Sequence, residues 1–215
     1  MKKIILTSAL VLVGIFSIAQ KTDKEIKKEI TNKSIKIARK EAKKLKKEGW
    51  DVVPGSLPLD KVLEKAYIKS EEETDKGGKK YIFADGNGVG ETKTAAEIQA
   101  LTIAKLALAS QITSDVNALI TANLANQQLN NEDAASITQV VATSKELISA
   151  QLGYVEPIFK IYRIPAGNAK NQEVQIRIFY DVEQSLQIAK KVIQKELKDK
   201  LKINEEQLNK LMGIN

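Results

Sequence analysis

Neither cysteine nor histidine occurs anywhere in the 215 residues of this chain. Without cysteine there are no disulfides, no thiolate metal ligands and no thiol nucleophile, and the acylated cysteine of a lipid-anchored envelope protein is excluded as well. Without histidine the usual general base near neutral pH and the commonest metal ligand are missing. Ser-His-Asp triads, Cys-His pairs and ordinary zinc sites are therefore impossible here. Aromatic residues make up only 5% of the chain. What chemistry remains is that of carboxylates, Ser-Lys pairs or tyrosine.

Ile4 to Phe16 is almost wholly apolar, preceded by Lys2 and Lys3 and followed by Ser17-Ile18-Ala19. A positive start, a short apolar stretch and small residues before Gln20 form the pattern of a signal peptide covering residues 1–19. The run falls short of the roughly 20 residues a spanning helix needs. An exported protein is expected, in the periplasm, at the envelope or secreted. Cleavage would leave 196 residues and lower the net charge from +7 to +5. That charge is unevenly placed. Residues 20–48 carry twelve Lys or Arg against five Asp or Glu, whereas residues 49–215 carry twenty against twenty-two. The basic excess belongs to one arm.

In the arm, Ile35, Ala38, Ala42 and Leu45 repeat at helical spacing, and Gly49 stops the helix. Glu25 with Lys28, and Glu41 with Lys44, suit surface pairing. Residues 49–79 read as a linking region holding a Pro-Gly turn and one helix, with Pro58 in its first turn. Residues 80–215 read as an α+β domain. Lys80 to Asp85 is strand-like, and a long helix begins at Ala95 behind a capping box, Thr94-Ala95-Ala96-Glu97. A second helix from Glu132 ends at Gly153. Strands at 154–164 and 173–181 flank a loop of turn residues and should form an antiparallel hairpin. Two further helices follow, the last capped by Asn204. The fold expected is an antiparallel sheet of three to four strands with helices gathered on one face, preceded by the basic helix.

The stretch A-D-G-N-G-V-G-E-T-K-T at 84–94 invites a phosphate-binding reading. A P-loop places its lysine directly after the last glycine, but Glu91 and Thr92 separate Gly90 from Lys93. A dinucleotide fingerprint counted from Gly86 meets Glu91 at its sixth place, where a carboxylate repels phosphate. The expectation is structural: Gly86, Gly88 and Gly90 permit a bulge or positive φ as the strand ends, and Thr94 and Glu97 cap the helix. No cofactor is called for.

The run Y-I-F-A-D-G-N-G-V-G, followed by A-A-E-I-Q-A-L-T-I-A-K-L-A-L-A-S-Q-I, resembles the core of a small outer-membrane lipoprotein family. In that family an aromatic strand ends in Ala-x-Gly-x-Gly and an alanine-rich helix closes on Leu-Ala-x-x-Ile. The likeness covers residues 80–120, and more loosely 154–181. The segment G-W-x-V-x-P-G-x-L-P-L at 49–59 is similar to secreted proteins of Bacteroidetes-type bacteria. The resemblance implies an exported envelope protein with an α+β domain and no established catalytic residues. It brings no site residues, and lipid anchoring does not carry over without the cysteine.

Three functions follow as expectations. The first is a non-catalytic envelope module that binds or scaffolds another envelope protein. The second is a binder of anionic envelope polymers or membrane surface through Lys36, Arg39, Lys40, Lys43, Lys44, Lys46 and Lys47. Nucleic acid is not the expected partner, because residues 21–48 hold no aromatic for stacking and an exported protein seldom meets it. The third is a carboxylate hydrolase. Its local candidates are weak: Glu71-Glu72-Glu73 with Asp75 reads as a solvated helix end, and Ser144 and Lys145 are adjacent on a helix and diverge.

Overall fold

The computed structural model describes residues 23–124, 131–167, 170–201 and 205–212. The signal peptide expected at 1–19 and the Asn204 cap lie outside them. The elements are α1 (Asp23–Lys47), β1 (Asp51–Val52), α2 (Leu59–Ser70), β2 (Tyr81–Gly90), α3 (Lys93–Leu124), α4 (Asn131–Thr143), α5 (Lys145–Gln151), β3 (Pro157–Arg163), β4 (Gln172–Asp181), α6 (Val182–Leu201) and α7 (Glu205–Met212). The four strands form one antiparallel sheet in the order β1-β3-β4-β2. This is the expected α+β class.

Alternation along the strands builds two cores. On one face Ala84, Val174, Ile176 and Ile178 meet the long helix α3 and, beyond it, Ile137, Ile148 and Ile193. Helices are not confined to that face: the opposite one carries a second layer. Phe159 and Ile161 of β3 pack with Trp50, with Ala38 and Ala42 of α1, and with Leu59, Leu63 and Ala66 of α2. Leu59 and Leu63 are fully buried; each stabilises this layer by roughly 1.5–3 kcal/mol. Residues 49–79 are thus part of the fold rather than a link. The narrow Ala38/Ala42 stripe is what lets α1 lie close on α2.

The glycines of β2 depart from expectation. The strand does not end at Asp85 but runs to Gly90, paired with β4 from Tyr81↔Asp181 to Gly90↔Gln172 without a shift. None of Gly86, Gly88 or Gly90 has positive φ. They are glycine because α3 lies directly on them. A Cβ on Gly86 would sit 2.0 Å from the Ala100 carbonyl oxygen and 2.5 Å from the Ala104 nitrogen. One on Gly88 would meet the Ala96 oxygen at 2.1 Å, and one on Gly90 the Ala96 nitrogen at 2.9 Å. Two strand residues advance about 6.7 Å and four helix residues about 6 Å, so the alternate glycines and the four-spaced alanines come into step.

The α3 cap is corrected too. The helix starts at Lys93, and Thr92 caps it, its Oγ1 accepting the Ala95 N–H at 3.1 Å. Thr94 lies inside the first turn, and Glu97 turns away to Lys160 of β3 at 3.0 Å. The helix expected from Glu132 to Gly153 is broken between α4 and α5. There the buried Ser144 hydroxyl donates to the Val140 carbonyl at 2.7 Å and Thr143 donates to Gln139 and Val140, side-chain bonds that compete with the backbone ladder.

Candidate functional site

The second layer presents the basic residues. Ala38 and Ala42 are buried and Leu45 is half-buried, which fixes the side of α1 facing α2. At 100° per residue, Lys36, Lys40, Lys43 and Lys47 fall within about 60° of one another on the opposite side. All four are exposed, and none makes an ion pair among the described residues. They form a line about 16 Å long, in axial steps of about 4.5–6 Å. Lys46 is exposed on the flank.

The remaining members of the expected set are engaged. Lys44 pairs with Glu48 at 3.8 Å. Arg39 reaches Glu64 of α2 at 3.2 Å, and Lys61 reaches the other oxygen of the same carboxylate at 2.7 Å. The Lys61 hydrogen bond, helped by Arg39, holds the Glu64 carboxyl below the usual glutamate range against the opposing effect of burial. Glu41 accepts the Tyr67 hydroxyl rather than pairing with Lys44. Burial, and then the Glu41 carboxylate beside it, push the Tyr67 hydroxyl up to about 12. These contacts lock α1 to α2, so the free lysines ride on a fixed helix.

Next to this layer the sheet has an open edge. Val182 N–H donates to the Lys80 carbonyl, so even-numbered residues of β2 bond to β4 and odd-numbered ones face outward. Two glutamines of α3 reach over that edge: Gln99 Oε1 accepts the Val89 N–H at 2.7 Å, and Gln111 Nε2 donates to the Phe83 carbonyl at 3.0 Å. Between them, the outward backbone groups of Asp85 and Asn87 make no hydrogen bond among the described residues. Arg177 holds the Asp85 carboxylate with two bonds of 2.6 and 2.8 Å.

The carboxylates of 71–75 gather around their own turn. Glu71 pairs with Lys79 at 2.9 Å, Glu72 with Lys69 at 4.0 Å, and Glu73 bridges Lys79 through the backbone. Ser144 is buried with its hydroxyl committed to Val140. No group of three or more metal-ligating side chains occurs among the described residues.

Sequence reading grouped seven basic residues and could not sort them; the structure brings four into one unpaired line. It did not find the Glu64 clamp, the Asp85–Arg177 pair or the glutamines at the edge. The first and third have no local signature. The facing Gly-x-Gly-x-Gly and Ala-x-x-x-Ala-x-x-x-Ala patterns were legible, but only as a pair. No family model, curated protein or solved structure matches the chain.

Proposed function

We propose that this chain is a non-catalytic binding module of the cell envelope that holds an anionic envelope component on the outer side of α1. One observation carries the reading. Lys36, Lys40, Lys43 and Lys47 stand exposed in a single line, without an ion pair among the described residues, on a helix whose other side is fixed to α2. Exposed like charges held together raise the local potential and attract anions, an effect that salt screens over about 10 Å at 0.1 M. The leader-like residues 1–19 support export, and the resemblance of residues 80–120 supports an envelope setting.

The test is co-sedimentation of the exported chain with purified envelope at low and high salt. Beside it runs the variant Lys36→Glu, Lys40→Glu, Lys43→Glu, Lys47→Glu. Binding that disappears with salt and in the variant is the expected result. A second reading, an extended segment of another envelope protein added at the β2 edge, is favoured by the unpaired outward groups of Asp85 and Asn87. Under it, binding survives both treatments.

A further inference from the structure

We infer that the lysine line on α1 takes a linear polyanion, an acidic polysaccharide carrying a carboxylate on each sugar, laid along the helix axis. The inference rests on the binding reading above and goes further, because it names the ligand's shape and chemistry. Three features of the helix lead to it.

The first is the arrangement of charge. The four lysines follow one another along the axis at intervals of about 4.5–6 Å and do not spread around the helix. A chain polymer with one anion per repeat meets successive lysines along that line, whereas a compact ion meets at most two. The second is the type of cation. The single arginine of the arm, Arg39, is held by Glu64. The line is therefore all lysine: point charges with rotatable donors on flexible stems, suited to a polymer of variable geometry rather than to one planar, bidentate group. The third is what separates a polymer from a bilayer. An amphipathic helix binds a membrane by burying its apolar side among the acyl chains. In α1 that side is already used: Ala38 and Ala42 are buried against α2, with Leu45 packed beside them. Among the described large apolar side chains of α1, Ile37 alone is exposed, at 40%. The helix offers charge without a wedge.

The experiment is a titration of the exported chain with oligogalacturonates of two, four and eight sugars at low salt. Vesicles of phosphatidylglycerol and phosphatidylcholine are titrated in parallel. The expected result is an affinity that climbs by at least about tenfold from the dimer to the octamer, as successive lysines are engaged by one chain. That gain should be lost in the quadruple Lys→Glu variant and reduced in the matching Lys→Gln variant, with circular dichroism confirming that both are folded. Affinity independent of oligomer length overturns the inference, because it reports a single-ion contact. Vesicle binding in the absence of oligomer binding also overturns it and assigns the lysines to a membrane surface. If envelope co-sedimentation stays lysine-dependent while the octamer neither binds nor competes, the polysaccharide is wrong and the binding reading stands. If envelope binding ignores the lysines altogether, both fail.

Discussion

Gly86 and Gly88 show how one missing atom sets the geometry of a layer. Their φ angles are ordinary, so the usual argument from glycine's backbone freedom does not apply to them. What matters is distance: the nearest obstacles to a Cβ are backbone atoms of α3, which cannot rotate away as a side-chain tip can. Gly86→Ala and Gly88→Ala should each cost about 3 kcal/mol or more, at the upper end of overpacking. Gly90→Ala, whose nearest contact is 2.9 Å, should cost about 1–2 kcal/mol. Urea unfolding of the three variants checks the order; equal stability for Gly86→Ala and the parent would show that α3 is free to lift. The residues were conspicuous in the sequence, but the reason for them was not, because the obstacle belongs to another element, Ala100 for Gly86 and Ala96 for Gly88 and Gly90.

Among the elements, α1 and α2 depend on polar contacts as well as on Leu59 and Leu63. The Tyr67 hydroxyl, donating to Glu41, ties one helix to the other. Its folded pKa of about 12 lies above the ordinary tyrosine value of 10.0, so its contribution is complete below pH 10 and is lost as pH rises towards 12. Tyr67→Phe should cost about 1 kcal/mol at neutral pH, the typical net worth of one hydrogen bond. The gap between variant and parent should then narrow as pH climbs from 10 to 12, as read by thermal unfolding across that window. A gap that stays constant would mean that the hydroxyl does not sense the helix contact. The helices themselves were readable from period and stop signals. Their ends were less so, since Thr92 and Thr94 are both good caps and only the approach of Lys160 draws Glu97 away. The Thr143–Ser144 break was hidden inside an otherwise continuous helical pattern.

For the whole molecule, the division into a basic arm and a separate domain gives way to a sheet covered on two sides. This changes what a truncation measures. A chain beginning at Gly49 loses Ala38 and Ala42 and uncovers Leu59, Leu63 and Trp50. It should be destabilised by about 3 kcal/mol or more from the apolar surface exposed. Reversing Lys36, Lys40, Lys43 and Lys47 alters only exposed positions and should stay within about 1 kcal/mol of the parent. Denaturant midpoints of the truncated chain and the charge-reversed variant separate these cases, and near-identical midpoints would return α1 to the status of a loose arm. Charge reversal, not truncation, is therefore the clean test of binding.

The excluded chemistry was written in the composition, because a chain without cysteine or histidine cannot acquire those ligands by folding. Residue order set the α+β class and most elements, since periods of 2 and 3.6 run along the chain. Tertiary structure alone decided the rest. Pairings such as Arg39 with Glu64, 25 positions apart, and Arg177 with Asp85, 92 apart, arise only when strands and helices are stacked. Such pairings decide which charges are neutralised and which stay free. That is why seven basic residues in the sequence become a line of four available lysines on the surface, and why three glycines that resemble a phosphate loop are the floor under a helix.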